Sequence, residues 1–195
     1  MASSNNGIVD GVDTAKLEEF RKALDKDPVT LGLEAKAVWD GEMGRSTVHI
    51  GPFSLNKDRI DRPTRQYTVS YGAWREVEET IGAVGPTDRQ EPVEMALGAM
   101  ASCIVNAITF NAYRYGIDLD DIQVSVSTDV DPSVLFELKG PEEHKACMPN
   151  LRAEIKVKGD NITPEKLEVI KKLAEHSPVD GLIAQANNIS HTVTT

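Results

Sequence analysis

Short apolar and alternating stretches, separated by glycine and proline, fill the first part of the chain, and one long apolar stretch follows near its middle. Leu17, Phe20 and Leu24 recur at helical spacing behind Asp13 and Thr14, whose side chains can start a helix, and Pro28 stops the run. This predicts a surface helix over residues 14–27. Residues 33–39 alternate imperfectly and predict a strand. Residues 40–44 predict a turn, and residues 45–50 a second strand that Gly51-Pro52 breaks, giving a hairpin. Residues 66–71 are rich in β-formers and predict a third strand. A loop punctuated by glycine and proline covers residues 82–92, and loops of that length often line a site.

The pattern changes at residues 91–115. Pro92 stands at a helix start and Gly116 follows the end. From Val93 to Ile108 the polar content is thin, namely Glu94, Ser102 and Asn106. A helix apolar nearly all round belongs in a core. Gly98, Ala99, Ala101 and Ser102 are small enough to let another backbone approach. The expectation is a buried central helix with Cys103 in its middle.

Beyond it, residues 122–128 and 151–157 alternate with period two, so each predicts a strand with one buried face. The polar linker between them, residues 129–150, holds Cys147. Thr163-Pro164-Glu165 starts a helix whose stripe is Leu167, Ile170 and Leu173. Ser177-Pro178 starts a short second one, and residues 189–193 predict a last strand. Strands cluster and helices are not interleaved one by one. The fold class is therefore α+β and not a doubly wound parallel sheet.

A length of 195 residues suits one domain with a sizeable core. Residues 1–30 read as an extension carrying the surface helix, and residues 31–195 as the domain proper. No apolar run approaches the roughly 20 residues of a membrane span, and the N-terminus lacks a basic start and an apolar stretch. The expectation is an unexported, cytoplasmic protein. A net charge of −10 argues against nucleic-acid and anionic-membrane partners. Two cysteines are too few for a disulfide scaffold. No Cys-x-x-Cys or His-Glu-x-x-His spacing supports a metal, and no glycine-rich motif supports a nucleotide, so no cofactor is expected.

Cys103 is the candidate reactive group. A cysteine reacts as thiolate, which needs a depressed pKa. Burial alone raises the pKa and leaves the thiol inert. One reading makes Cys103 a small core residue beside Ala101, Ile104 and Val105; the other requires a cationic partner. Arg45, Arg62, Arg65, Arg75 and Arg89 all precede the helix.

Residues 91–103, from Glu91-Pro92-Val93-Glu94 to Ser102-Cys103, resemble the segment that carries the first cysteine of the OsmC/Ohr family (osmotically inducible protein C and organic hydroperoxide resistance protein). Gly44-Arg45 resembles the family's Gly-Arg turn, and His176-Ser177-Pro178-Val179 its Cys-Pro segment. The likeness covers about residues 33–193. It implies antiparallel sheets wrapped around the long buried helix and an intertwined homodimer with sites at the subunit interface. It also implies a thiol-dependent peroxidase active in oxidative-stress defence. The Cys103 thiolate would attack the O–O bond of an organic or hydrogen peroxide and become a sulfenic acid. Arg45 would hold thiolate and peroxide, and a carboxylate would fix the arginine. An external thiol or dithiol would be the reductant.

Two departures stand out. Ser177 occupies the position of the resolving cysteine and cannot form a disulfide; its hydroxyl reads as the cap of the helix at Pro178. The resemblance puts the arginine's carboxylate ten residues before Cys103, at Val93; Glu94 is one step of about 100° away. Glu94 also reads as an ordinary first-turn glutamate. Cys147, beside His144 and Lys145, is either a substitute resolving thiol or an incidental loop cysteine. His176 assists a proton transfer or is a surface histidine at a helix C-terminus. The competing function is a binding protein with an apolar or acyl ligand in the dimer cleft.

Overall fold

A computed structural model describes residues 7–184 and 191–192. The chain divides into two compact units, at Met95 and Ala96.

In the N-terminal unit, β1 (Ile8–Val9) and β2 (Val12–Asp13) form a small hairpin whose turn residues, Asp10 and Gly11, both have positive φ. α1 (Thr14–Lys26) starts at Asp13, whose carboxylate accepts from the N–H groups of Ala15 and Lys16, and it buries no side chain. The antiparallel sheet consists of β3 (Leu31–Trp39), β4 (Ser46–Leu55), β5 (Asp58–Ile60) and β6 (Tyr67–Tyr71). β3 runs along β4, while β5 and β6 pair with successive segments of it.

Gly51-Pro52 does not end the second strand. Leu33 pairs with Phe53 and Ala35 with Ile50, so Gly51 and Pro52 together oppose Glu34 in a bulge. A proline is tolerated in a bulge because the ladder asks no N–H of it there. α2 (Arg75–Thr80) follows β6 and had no counterpart in the sequence pattern. Among the described residues of this unit, the fully buried side chains are Arg45 and Glu78, and neither is apolar.

α3 (Pro92–Ala112) enters the C-terminal unit, which also contains β7 (Asp121–Ser127), α4 (His144–Cys147), β8 (Arg152–Lys158), α5 (Pro164–Ala174) and α6 (Pro178–Ala184). β7 and β8 pair antiparallel, with Val124 opposite Ile155. α3 buries one stripe, at Met100, Ile104, Ile108 and Ala112. Ile117, Ile170 and Leu173 complete the core. Ile122, Val124, Val126, Ile155 and Val157 line it from the sheet.

The expectation of a helix buried all round is thus met on one face only; within its own unit the rest of α3 is exposed or half-buried. The sequence reading also found no apolar run of spanning length, yet residues 92–115 are helical, long and apolar enough to cross a membrane. Packing of the stripe against β7, β8 and α5 is the behaviour of a core helix. The predicted strand at 189–193 lies mostly outside the described residues.

Candidate functional site

Arg45 stands at the end of the turn between β3 and β4. Gly41 and Gly44 have φ of +90° and +76°, values that exclude most other residues. The carbonyl of Glu42 closes the turn, accepting from Arg45 N at 3.1 Å and from the Trp39 ring N–H at 2.6 Å. The guanidinium lies inside, 6% exposed. Its Nε donates to Glu78 Oε1 at 2.9 Å, and Nη2 donates to Glu78 Oε2 at 2.6 Å and to the Gly85 carbonyl at 2.9 Å. Nη1 donates to the Glu42 carboxylate.

Glu78, on α2, is itself 3% exposed. Besides the arginine it accepts from Thr87 N at 2.6 Å and from the Thr87 hydroxyl at 3.3 Å. The Arg45 hydrogen bonds, reinforced by the Thr87 N–H, hold its carboxyl down at about 2, and Glu78 in turn raises Arg45 above its ordinary value. The loop at residues 82–92 meets this ion pair through Gly85 and Thr87. Beside this group Asp40 accepts from Arg89 Nη1 at 2.5 Å and from Thr47 Oγ1 at 2.9 Å, which lowers its pKa.

The carboxylate that fixes Arg45 is thus Glu78, with Glu42 on the other edge, and not Glu94. Glu94 is exposed in the first turn of α3. Its backbone N–H, like that of Val93, is capped by Glu91 Oε2, at 3.1 Å and 2.6 Å. A first-turn glutamate projecting to solvent from a capped helix is placed to favour the dipole. Sequence reasoning missed Glu78 because α2 is six residues with no apolar repeat.

Cys103 lies in α3, one position before the buried Ile104; it is half-buried and unpaired by any disulfide. Cys147 is buried, 2% exposed. Its Sγ points to Asp131 Oδ2 at 3.9 Å, the oxygen that also accepts from Lys139 Nζ at 2.7 Å. Asp131 N donates to the Cys147 carbonyl at 2.7 Å. Lys139, then Ser133, hold the Asp131 carboxyl well below the usual carboxylate range. His144 and Lys145 are exposed, and the sulfur contacts Asp131 instead of either of them. Ser177 is buried and its Oγ accepts from Asp180 N at 3.2 Å, the capping geometry of α6. His176 is exposed, just past the end of α5. Among the described residues no cluster of His, Cys, Asp and Glu is arranged to hold a metal.

Residues 85–192 match the family model of the OsmC-like protein. The chain belongs to the OsmC-like protein family. Its fold is that of the OsmC-like protein from Mycoplasma pneumoniae, with a TM-score of 0.53 at 12% identity over 78% of this chain and 86% of that one. An organic hydroperoxide resistance protein OsmC from Legionella pneumophila is more distant, with a TM-score of 0.39 at 16% identity over 77% of this chain and 88% of that one. No curated protein matches the sequence at significance. In this OsmC-like chain the half-buried cysteine lies on the long helix α3 and the buried arginine at the turn between β3 and β4.

Proposed function

We propose that this OsmC-like protein is a thiol-dependent peroxidase. The Cys103 thiolate attacks the terminal oxygen of a hydroperoxide, the O–O bond breaks, and the sulfur leaves as sulfenic acid. The departing alkoxide takes a proton and becomes an alcohol. Arg45 supplies the positive charge that favours the thiolate and the departing anion. The observation that carries this reading is the buried Arg45–Glu78 pair: a guanidinium chelated through Nε and Nη2 and held there by Thr87 and Gly85. Buried ion pairs are weak stabilisers, and perturbed, preorganised charges concentrate at functional sites.

With Ser177 committed to capping α6 and Cys147 buried against Asp131, turnover falls to an external thiol. A first thiol converts the sulfenic acid to a mixed disulfide and water, and a second releases the Cys103 thiol. The working form is a homodimer in this reading. All nine residues of β3 are exposed, among them Leu31, Leu33, Val38 and Trp39, and a contiguous open apolar surface of this kind marks an interaction face.

The test is cumene hydroperoxide followed by a dimedone probe. Label at Cys103 that disappears in Cys103→Ser, together with an alkylation pKa for Cys103 well under the free-cysteine value of about 8.5, is expected. Absence of label at Cys103, or undiminished label in the variant, overturns the reaction. An apolar ligand retained in native mass spectrometry, with no labelling, would point to the binding function instead.

A further inference from the structure

The connection from β5 to β6 gathers positive charge in an acidic chain. Arg62 and Arg65 stand at the first and fourth positions of a tight turn, closed by Arg65 N donating to the Arg62 carbonyl at 2.9 Å. Pro63 takes the second position, where its fixed φ favours such a turn. The two side chains therefore leave the backbone close together. Both meet one ring: the guanidinium carbons lie 5.6 Å and 5.1 Å from the Phe53 centroid, within cation–π range. Arg65 is tied down further, its Nε donating to the Gly51 carbonyl at 3.1 Å. Gly51 permits that approach, since a Cβ there would stand 3.0 Å from the Arg65 carbonyl oxygen.

What the pair lacks is an acceptor. The sequence holds 31 acidic against 21 basic residues, so carboxylates are in surplus. Yet among the described residues none forms an ion pair with Arg62 or Arg65, whereas Arg59, three positions before Arg62, pairs with Glu34 at 3.1 Å. With Nε of Arg65 spent on Gly51, its terminal Nη donors have no acceptor among the described residues, and neither has the Arg62 guanidinium. Two guanidiniums offer two forks of N–H donors. A carboxylate has two oxygens and fills one fork. A phosphate has oxygens enough for both and carries up to two negative charges. The turn and Phe53 hold the cations in place before a ligand arrives, so less ordering cost falls on binding.

We infer that Arg62 and Arg65, backed by Phe53, form a binding site for a phosphate dianion, free or as the monoester of a small molecule. The site belongs wholly to the N-terminal unit and stands whether or not Cys103 reacts with peroxide. The net charge of −10 repels polyanions, so the site suits a small phosphate and not a nucleic acid.

The test follows the side-chain Nε–H signals of Arg59, Arg62 and Arg65 in the full chain by nuclear magnetic resonance, as inorganic phosphate, phenyl phosphate or acetate is added at matched ionic strength. Saturable shifts at Arg62 and Arg65 are expected with phosphate, with acetate at least about tenfold weaker and Arg59 nearly still. Arg62→Gln and Arg65→Gln should each weaken phosphate binding about tenfold or more, the loss of one charge-assisted fork; circular dichroism confirms that each variant keeps its fold. Tighter binding of phenyl phosphate than of inorganic phosphate assigns the site to a monoester, and the reverse order to the free ion. Shifts that never saturate, or that acetate reproduces at the same concentration, overturn the inference, because screening alone then moves the signals. Undiminished binding in either glutamine variant overturns it too, since one fork would then suffice.

Discussion

Replacing Ile108 by alanine tests the packing that positions Cys103. Ile108 is 0% exposed and sits between Ile104 and Ala112 on the one stripe that α3 buries. The change removes three carbons. At about 0.8 kcal/mol per buried methylene the transfer loss is about 2.4 kcal/mol. The cavity left among rigid neighbours brings the total to about 3–4 kcal/mol. For a chain of this size each kcal/mol lowers the melting temperature by about 2–4 °C, so a fall of about 6–16 °C is expected. Urea unfolding should show a lower midpoint at unchanged slope. Phe110→Ala is the control, two positions on and 52% exposed. In the monomer it should cost less than about 1 kcal/mol, as exposed sites do. A concentration-dependent penalty for Phe110→Ala would show a second copy covering that surface. If Ile108→Ala costs no more than Phe110→Ala in the dissociated chain, the buried stripe has been misassigned.

Acid should expose the Arg45–Glu78 pair. The Glu78 carboxyl is held at about 2 in the folded chain against about 4.3 when unfolded, so its contribution is complete above pH 4.5 and is lost as pH falls toward 2. Urea midpoints across that window should fall less steeply in Arg45→Gln/Glu78→Gln. Gly159→Ala should destabilise by about 1–3 kcal/mol, because the new methyl would collide with the Asp118 carbonyl oxygen; thermal melts decide it. Gly98→Ala, with nothing within 4 Å, should instead stabilise α3 by about 0.5–1 kcal/mol. Ser177→Ala should cost about 0.5–2 kcal/mol as a lost cap, with dimedone labelling of Cys103 unchanged.

Elements whose signal is local were legible in the sequence. Leu167, Ile170 and Leu173 behind Thr163-Pro164 announce α5, and Thr163 does cap it. The period-two runs of β7 and β8 survive with shifts of one residue. What escaped depends on contacts far along the chain. The strand through Gly51-Pro52 persists because β3 supplies the opposing half of a bulge, a fact absent from β4 itself. α3 looks apolar on every side, so its sequence cannot say which stripe is buried; β7, β8 and α5 decide that. Cys147 has His144 and Lys145 as neighbours in sequence, but its sulfur meets Asp131, 16 positions away. Glu78 was invisible for the same reason, lying 33 positions from the arginine it holds.

The two units divide the physical labour unequally. In the C-terminal unit the buried side chains are mostly aliphatic and their interior is a conventional source of stability. In the N-terminal unit the described interior is an ion pair, for which desolvation offsets much of the Coulomb attraction. Such a unit gains little free energy from its own interior, while β3 leaves its apolar side chains open. On the proposed reading a second copy would cover that strand and supply the missing burial, which would link association to arginine placement. On the proposed reading, dissociation should weaken the scaffold that aims Arg45 before it unfolds the helix that carries Cys103. Dilution through the dimer's dissociation range should therefore raise the alkylation pKa of Cys103 while the far-ultraviolet signal of α3 persists. A pKa indifferent to dilution, across a range where sedimentation shows the dimer coming apart, would break the link between assembly and chemistry.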